Sequence, residues 1–501
     1  MPPVICLLTT ALFYSTAAVP DTTPLPAQAI SIERANELLE ALPKEDAWLR
    51  SKDASTIAWR ESPVLHALAD LYEATEDPAY LHQLAERGQR LLSHRDDRRG
   101  VKDGSGEVRP GWTMGFKYVV ASGALKNAAG ETVIAIRSTP FSNNHLTTVE
   151  VVPGAQGFTI IVSNEFYPRK ETYVNLSLNP ADERFAEKVI NDPMAPYSTG
   201  RGTSTEPSNL VSIQVKQQSP LPAQKIRLTP IPLAYTGYYG IIYHPMLRFA
   251  EFVKKDAALR SLVPVADSFI QAAEESYADM LQRLWRDGPG RGEGYVLTCE
   301  KGESFPADNV GQPFNYLGRH VCVLLALHRL TGKATYKHTA EKLCRLFKNR
   351  LQYNRRGNLY IWNYWYEPMT TTGWKPEDNL SFNVKYFKGA ARPEDASHGT
   401  LDIAMVAAAA AEKTVFSQRD MERFANTLLH NVLLPDRSDV RRTVDGKGPA
   451  HPPYFQQLHG WLELSPGHPE VYRAIRQAYL QKGMESLVFC ARLLKWERRL
   501  R

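Results

Sequence analysis

The residues best suited to chemistry lie in three short polar segments of the C-terminal half of the chain. In the first, Asn315, Tyr316 and Arg319 follow one another at intervals that place all three on one face of a helix. A guanidinium beside amide groups can neutralise a carboxylate, and Gln312 would extend this face if the helix began early. We therefore predict a carboxylate-binding group here. An ordinary capped helix with exposed polar residues is the alternative interpretation.

The second segment is rich in aromatic residues and follows the turn at residues 354–357. It contains Trp362, Tyr364, Trp365 and Tyr366 within five positions. Aromatic rings cover the apolar faces of sugars, and a tyrosine hydroxyl can also transfer a proton. Because four such residues in five positions are not expected to face one core, we predict a sugar-contacting surface. Core packing is the alternative.

The third segment precedes an alanine-rich helix predicted at residues 401–412. It contains Arg392, Glu394, Asp395, Ser397 and His398. Asp395 or Ser397 can cap the helix, which would place His398 in the first turn. The positive end of a helix favours a neutral imidazole that can accept a proton. We predict a functional histidine here, against the alternative of a capping motif with an incidental histidine.

A fourth candidate is the pair Asn144 and His145, which stands just before a predicted strand. Asn-rich turns are common, so a structural role alone would explain it.

Around these segments the hydrophobic period changes twice. Apolar residues recur at helical spacing in residues 30–100 and 244–501, and the runs 131–137, 147–152, 158–163 and 210–215 are rich in β-branched residues. The sequence therefore predicts helical hairpins on both sides of a β-rich subdomain at residues 101–243. The helical spacing of Leu71, Thr75 and Tyr80 recurs at Leu327, Thr331 and Tyr336. Repeated helix pairs must stack, as a solenoid or as a closed ring.

The N-terminus has the pattern of an export signal. Residues 4–19 are apolar, and Ala27-Gln28-Ala29 gives the small-x-small pattern of a cleavage site. We predict a signal peptide at residues 1–29 and a secreted or periplasmic protein without a membrane anchor after cleavage.

Charge and cysteine content narrow the class of function. The formal charge is only +6, from 60 basic and 54 acidic residues, and no long basic block is present. This balance does not favour nucleic acid and is compatible with an acidic polymer. The cysteines that would remain after signal cleavage have neither zinc nor redox spacing, so we predict no metal and no cofactor, and we expect buried thiols at least as readily as disulfides. They are Cys299, Cys322, Cys344 and Cys490.

The polar and aromatic segments also carry a family resemblance. Residues 312–319, 331–336, 362–365 and 394–398 resemble secreted α/α-toroid proteins, and among them polysaccharide lyase family 38, whose relatives cleave alginate or glucuronan. The resemblance implies a mainly α fold, an (α/α) toroid of helical hairpins with a β-rich inserted subdomain. It also implies β-elimination on a uronic-acid polymer.

In such lyases a tyrosine or histidine removes the uronate C5 proton, while arginine, asparagine or glutamine neutralises the carboxylate. The resemblance therefore implies that Tyr364 and His398 handle protons, with Tyr316 in reserve, and that Arg319 and Asn315 bind the carboxylate. We expect Gln312, Trp362, Trp365, Arg392, Glu394, Asp395, Asn144 and His145 to contact the substrate.

Two alternatives remain open at this point. A glycoside hydrolase on the same scaffold would use a carboxylate pair such as Glu394 and Asp395, although adjacent carboxylates point in different directions in most conformations. A non-catalytic carbohydrate-binding or assembly protein is the other alternative, because residues 157–159, 171–178 and 189–191 are similar to parts of phage tail-sheath proteins.

Overall fold

The computed structural model describes residues 26, 29–42, 50–167, 169–191 and 210–501. The predicted signal peptide, residues 1–29, falls outside the described residues except for positions 26 and 29, and so does Cys6.

Fourteen α-helices are found in the described residues. They are α1 (Ile32–Glu40), α2 (Ala54–Thr56), α3 (Ser62–Thr75), α4 (Pro78–Ser93), α5 (Asp96–Arg99), α6 (Ala186–Ile190), α7 (Tyr239–Lys255), α8 (Val263–Leu284), α9 (Phe314–Thr331), α10 (Ala334–Lys348), α11 (Gly399–Ala411), α12 (Gln418–Asn426), α13 (Pro469–Lys482) and α14 (Leu487–Leu500). A π-helical segment, Ile57–Glu61, leads directly into α3, a second one, Thr427–Val432, follows α12, and a long 3-10 helix covers Pro452–Leu464. Shorter 3-10 helices cover Asn144–Leu146, Thr236–Tyr238, Ala257–Leu262 and Pro376–Asp378.

Local sequence explains where the first helical hairpin turns. Glu76 adopts a left-handed conformation that ends α3, and the Asp77 side chain accepts a hydrogen bond from the backbone of Ala79 at the start of α4. Pro78 occupies the first helical position, where its missing N–H costs nothing. Residues 76–78, whose Glu-Asp-Pro sequence predicts a break between two helices, are where this hairpin turns.

Six helical segments contact one another in a closed series. Each packs against the next in the order α3, α7, α9, α11, Pro452–Leu464 and α14, and α14 returns to α3. One of these segments, α9, is buried on every side over residues 321–327, which explains why this stretch is uniformly apolar. The inward faces of these segments carry the polar groups described below.

Two antiparallel sheets of four strands form the β-rich part, in the orders β7-β3-β2-β9 and β6-β5-β4-β8. Their strands are β2 (Ala121–Lys126), β3 (Thr132–Ser138), β4 (Thr147–Gly154), β5 (Gly157–Asn164), β6 (Arg169–Leu176), β7 (Val211–Val215), β8 (Gln224–Arg227) and β9 (Thr229–Pro230). Alternate residues of β4 and β5 are buried, and apolar residues of both sheets share one core separate from that of the helices. The four predicted strand segments are therefore confirmed.

Three further two-stranded sheets complete the fold. They pair β1 (Thr113–Met114) with β10 (Leu233–Ala234), β11 (Trp285–Asp287) with β12 (Gly294–Val296), and β13 (Gln352–Asn354) with β14 (Leu359–Ile361). The last two lie within the region predicted to be helical only.

The predicted fold class, a mainly α toroid of helical hairpins, is wrong. The protein is about 48% helix and 18% strand, with several antiparallel sheets, and is a mixed α and β protein. Helical periodicity dominated the sequence pattern because helices are long, whereas the hairpins at residues 285–296 and 352–361 have strands of three residues each. Strands this short give almost no periodic signal.

The four described cysteines, Cys299, Cys322, Cys344 and Cys490, are buried free thiols. None of the helices in the described ranges combines the length and the apolar composition that a bilayer crossing requires.

Candidate functional site

Backbone pairing brings the three predicted polar segments together. Residues 362–364, just after β14, run antiparallel to residues 392–394: Tyr364 N donates to Arg392 O at 3.0 Å, and Glu394 N donates to Trp362 O at 2.9 Å. The carbonyl of Tyr364 accepts from Phe314 N at 3.3 Å, which ties the same segment to the start of α9. Segments that are far apart in the sequence thus meet at the N-terminal ends of α9 and α11.

Asp395 both holds the turn that leads into α11 and orients His398, the residue directly before the helix. Its Oδ1 accepts hydrogen bonds from the backbone N–H groups of Ser397 and His398. Its Oδ2 lies 2.7 Å from Nδ1 of His398. A carboxylate only accepts, so Nδ1 is the protonated nitrogen, and in the neutral ring Nε2 keeps its lone pair. Nε2 has no hydrogen-bond partner among the described residues and is therefore a candidate proton acceptor.

The electrostatics of Asp395 fit this role. Burial alone would raise the pKa of this carboxyl group, but His398 and the hydrogen bonds from His398 and Ser397 lower it well below its usual range. Asp395 is therefore a carboxylate at neutral pH and holds the imidazole in one tautomer.

Two further carboxyl groups, those of Glu394 and Asp402, lie close to the Asp395–His398 pair, which we call the His398 dyad. Glu394 and Asp402 are fully buried, Glu394 Oε1 accepts from Asp395 N at 2.8 Å, and Asp402 Oδ2 accepts from Trp362 Nε1 at 2.8 Å. Their other oxygens find no donor among the described residues, and the two carboxyl groups are close enough to share a proton. Burial, followed by the neighbouring carboxyl groups, raises the pKa of Glu394, and burial raises that of Asp402.

Tyr364 places a phenol beside His398. The two rings meet edge to face, with centroids 5.6 Å apart and planes at 85°. The hydroxyl of Tyr364 is buried and has no hydrogen-bond partner among the described residues. Burial, with Tyr316, Glu394 and other neighbours adding to it, raises the pKa of Tyr364 well above its usual value. The group is therefore a neutral phenol, able to donate a proton.

Aromatic rings from other parts of the chain complete the surroundings of His398. Trp59 packs edge to face against His398, with centroids 6.3 Å apart, and also against Tyr238. Tyr238 in turn packs edge to face against Tyr316, with ring centroids 5.7 Å apart. Tyr235 packs against both tyrosines. These rings form a largely apolar wall around the imidazole.

Arg392 is a cation that lies beside this group. Its guanidinium lies over the Tyr364 ring, 5.8 Å from the centroid, and its Nη2 is 3.7 Å from Asp395 Oδ2. Arg392 was predicted as a substrate contact, and the structure places it beside both Tyr364 and the His398 dyad.

The residues that were predicted to bind a carboxylate at the start of α9 have different surroundings in the structure. Gln312 is buried: its amide donates to Thr236 Oγ1 and Leu297 O, and its carbonyl oxygen pairs with His320 Nε2. Asn315 Oδ1 accepts from Tyr316 N, while its Nδ2 has no partner among the described residues. Gln312 thus fastens the loop to the helix, whereas Asn315 keeps a buried donor unused.

Arg319 points away from the imidazole. Its Nη1 lies 3.1 Å from Nδ1 of His244 on α7, and no described contact joins it to Tyr364 or His398. It faces a second polar cluster, described further below.

The predicted sugar-contacting surface at residues 362–366 is wrong. Trp362 is 0% exposed, and Tyr364, Trp365 and Tyr366 are also buried. Trp362 packs against Phe347, Phe424 and Trp461, and Trp365 Nε1 donates to Gly311 O. The segment leaves β14 and passes between helices, so elements on several sides can bury its side chains. The alternation of buried and exposed side chains that is typical of a strand does not apply to this segment.

Asn144 and His145 lie in the β-rich part. Asn144 is fully buried and donates to Val119 O and Pro140 O, which holds the turn before β4. The His145 ring packs against Phe116 at 5.5 Å. No described contact joins either residue to His398, so the turn explanation accounts for both.

Sequence reasoning missed Trp59, Tyr235, Tyr238 and Asp402. The run from Tyr235 to Tyr243 contains four tyrosines, which is the signal that would have marked it. Trp59 lies in the π-helical segment Ile57–Glu61, and such segments are frequent at functional sites, but the sequence does not reveal one.

Glu394, Asp395 and His398 are also the group of described residues that could hold a metal ion, since one ligand atom from each lies within 4.8 Å of the others. A cation there would compete with the hydrogen bond between Asp395 and His398. Comparisons of the chain with models of known protein families and with curated proteins found no match.

Proposed function

We propose that the protein is an exported lyase that cleaves a uronic-acid-containing polysaccharide, of the alginate or glucuronan class, by β-elimination. The observation that carries the proposal is the unpartnered hydroxyl of Tyr364, held against an imidazole that Asp395 orients. β-Elimination needs a base for the C5 proton, an acid for the leaving oxygen and a positive group at the carboxylate.

In the proposed reaction, Nε2 of His398 takes the C5 proton of the uronate. The electron pair left at C5 is delocalised into the carboxylate, and the bond between C4 and the leaving oxygen then breaks to give a C4–C5 double bond. Tyr364 donates its proton to the leaving oxygen, a role that fits a phenol whose pKa is raised by burial. Return of the proton from His398 to Tyr364 restores both groups.

Two groups are suited to the substrate carboxylate. Arg392 lies over the Tyr364 ring, and the buried Nδ2 of Asn315 lacks a partner among the described residues. Either would stabilise the negative charge that develops on the carboxylate as C5 loses its proton. The wall formed by Trp59, Tyr235, Tyr238 and Tyr316 would exclude water and strengthen these interactions.

Hydrolysis by Glu394 and Asp395 is less well supported. Both carboxyl groups are fully buried, and both oxygens of Asp395 are already engaged with Ser397 and His398. A hydrolase needs two carboxyl groups that reach the glycosidic bond from opposite sides. Glu394 and Asp402 instead face each other.

The test is a screen of uronate polymers that records new reducing ends and ultraviolet absorbance together. Elimination yields both, because the new double bond is conjugated to the carboxylate. Reducing ends without absorbance would replace the lyase by a hydrolase, and binding without cleavage of any polymer would indicate a carbohydrate-binding protein.

A further inference from the structure

A second polar cluster lies on the inward faces of α3, α7, α9, α14 and the 3-10 helix Pro452–Leu464. Its ion pairs cross between these elements. Arg248 contacts Asp70 and Glu73 at 2.7 and 2.5 Å, Arg492 contacts Asp70 and Glu463, and Lys495 contacts Glu463 at 3.0 Å. Asp70 is fully buried and is held by three cations, so this part of the cluster is closely paired.

Arg319 is the exception within this cluster. No carboxylate of the described residues lies within ion-pair distance of it, its Nη1 contacts only His244, and its Nε is buried without a partner. The cluster contains the cations Arg248, Arg319, Arg492 and Lys495, with Arg499 contacting Glu73 at its edge, against the three carboxylates of Asp70, Glu73 and Glu463. Arg319 is the cation of this group that lacks a carboxylate partner among the described residues.

Three histidines belong to the same cluster: His244 contacts this guanidinium, His66 packs against His244, and the pKa of His459 is lowered in part by the charge of Arg319. The rings of His66 and His244 are 5.1 Å apart, and burial, with the nearby arginines and His244, lowers the pKa of His66 far below its usual value. Burial likewise lowers the pKa of His244, and it lowers the pKa of His459 to about 3. All three rings are therefore neutral and add no charge to that of Arg319.

The unused atoms near Arg319 include hydrogen-bond donors. Nδ1 of His66 lies 3.2 Å from Nη1 of Arg248, which can only donate, so the proton of the neutral ring is on Nε2. His66 Nε2 is buried without a partner among the described residues, as is Arg319 Nε. Two buried N–H groups and an unbalanced cation call for an oxygen acceptor with negative charge.

Arg319, His244 and His459 each keep part of their surface exposed, although all three lie on the closed series of helical segments. The guanidinium-bearing side chain of Arg319 is therefore not completely sealed from solvent.

We propose that Arg319, His66, His244 and His459 form an oxyanion-binding site, distinct from the His398 site, that takes a carboxylate or sulfate group. Arg319 follows Tyr316 by one helical turn, and His66 follows Trp59 by about 10 Å of helix. The two sites thus lie at successive levels of the same helices. If the proposed function holds, on which this assignment of the ligand rests, the occupant is the carboxylate of a uronate next to the one that reacts.

The test measures binding rather than turnover. Titration calorimetry with sodium glucuronate and with sodium sulfate, in chloride at constant ionic strength, is performed on the wild-type protein, on Arg319→Met and on Arg329→Met. Arg329 is the matched control because it lies on the same helix and is paired with Glu251 and Glu412 at 2.6 and 2.7 Å. Neither probe contains a bond that the lyase would cleave, so the result does not depend on the proposed reaction.

We expect saturable binding to the wild type and to Arg329→Met, and at least about tenfold weaker binding to Arg319→Met. In the chloride buffer without glucuronate or sulfate, Arg319→Met should also raise the melting temperature, because it removes a desolvated charge that lacks a carboxylate partner. Binding of glucuronate but not sulfate would assign the site to a sugar carboxylate, and equal binding would assign it to oxyanions in general.

Equal binding by Arg319→Met and the wild type would place the anion elsewhere and overturn the proposal. No binding of either probe to the wild type would also overturn it, since water would then satisfy the two N–H groups. Both outcomes leave the polymer-cleavage screen unaffected, so a failure here is distinguishable from a failure of the lyase proposal.

Discussion

The carboxylate of Asp395 contacts His398 at two positions. Oδ1 accepts from the backbone N–H of His398 at 2.9 Å, and Oδ2 lies 2.7 Å from its ring Nδ1. The first bond holds the turn that leads into α11, and the second fixes the tautomer and the orientation of the imidazole. The turn before the helix and the chemistry of the ring therefore depend on one side chain.

This double role predicts that Asp395→Asn separates folding from activity. Asparagine holds such turns about as well as aspartate, so the melting temperature should change little. The amide no longer stabilises the imidazolium and can favour the wrong tautomer, so kcat should fall by about 10²–10⁴-fold. Steady-state kinetics and thermal unfolding on the same preparation measure both effects.

Ser397→Ala is the control for that experiment. It removes one hydrogen bond to Oδ1 of Asp395 and leaves the contact of Oδ2 with His398 in place. We expect it to lower kcat far less than Asp395→Asn. Equal losses in the two variants would mean that the turn, rather than the tautomer, determines activity.

Trp362→Ala should act on stability. The ring is fully buried, and its Nε1 donates to Asp402. Truncation leaves a cavity and an unsatisfied carboxyl group, at a cost of about 3–5 kcal/mol in the free energy of unfolding. Urea denaturation measures this loss, and Phe382→Ala, at a ring that is 49% exposed, is the control that should cost much less. An unchanged unfolding midpoint in Trp362→Ala would contradict the burial of this ring.

The contrast between Trp362 and His398 shows what the sequence could and could not reveal. The turn around His398 depends on residues within three positions, so the pairing of Asp395 with this turn was predictable, but His398 precedes α11 instead of lying in its first turn as predicted. The burial of Trp362 depends on Phe347, Phe424 and Trp461, which come from three other parts of the chain. Aromatic content alone does not distinguish a sugar platform from a core that several elements enclose.

The fold likewise contains features that follow from the local sequence and features that depend on distant parts of the chain. The hairpin break at residues 76–78 and the strands β3, β4, β5 and β7 follow from local patterns and were predictable. The short hairpins β11–β12 and β13–β14, and the approach of Trp59 to His398, follow from tertiary packing. Because these features depend on distant partners, the sequence predicted a helical class where the protein is mixed.

The Glu394–Asp402 pair predicts a pH dependence of stability. Burial raises the folded-state pKa of Asp402 above its unfolded value, so the folded protein binds this proton more tightly than the unfolded chain. The associated stability is present below the unfolded pKa of about 4 and is lost as the pH rises through the folded-state pKa. Asp402→Asn should remove this loss and, above that range, stabilise the protein by at least about 1.4 kcal/mol, the equivalent of one pKa unit.

Asp420→Asn gives the control of opposite sign. Burial would raise the pKa of Asp420, but hydrogen bonds from Ser417, Tyr360 and Lys348 lower it to about 2. Its stabilising effect is present above pH 4 and is lost as the pH falls towards 2. Urea unfolding from pH 4 to pH 9 should therefore show a deficit for Asp420→Asn throughout and a growing advantage for Asp402→Asn. An advantage of Asp402→Asn that does not grow with pH would exclude a shared proton.

The most direct test of the proposed chemistry is Tyr364→Phe. The substitution keeps the ring that packs against His398 and removes only a hydroxyl that has no hydrogen-bond partner among the described residues. The variant loses no hydrogen bond to any of the described residues, so the melting temperature should stay the same or rise. If the hydroxyl protonates the leaving oxygen, kcat on the uronate polymer should fall by about 10²–10⁴-fold with little change in polymer binding.

Tyr366→Phe is a closely matched control. Its hydroxyl is also buried and unpartnered among the described residues, and burial also raises its pKa, but its ring packs against Phe314 and Tyr295 rather than His398. The two variants thus remove the same atom from similar environments two residues apart. Loss of turnover in Tyr364→Phe alone would assign the proton to Tyr364. Equal turnover in both variants would move the acid role to another group, and the hydroxyl of Tyr316, whose ring packs against Tyr238 in the same aromatic wall, would be the next to test.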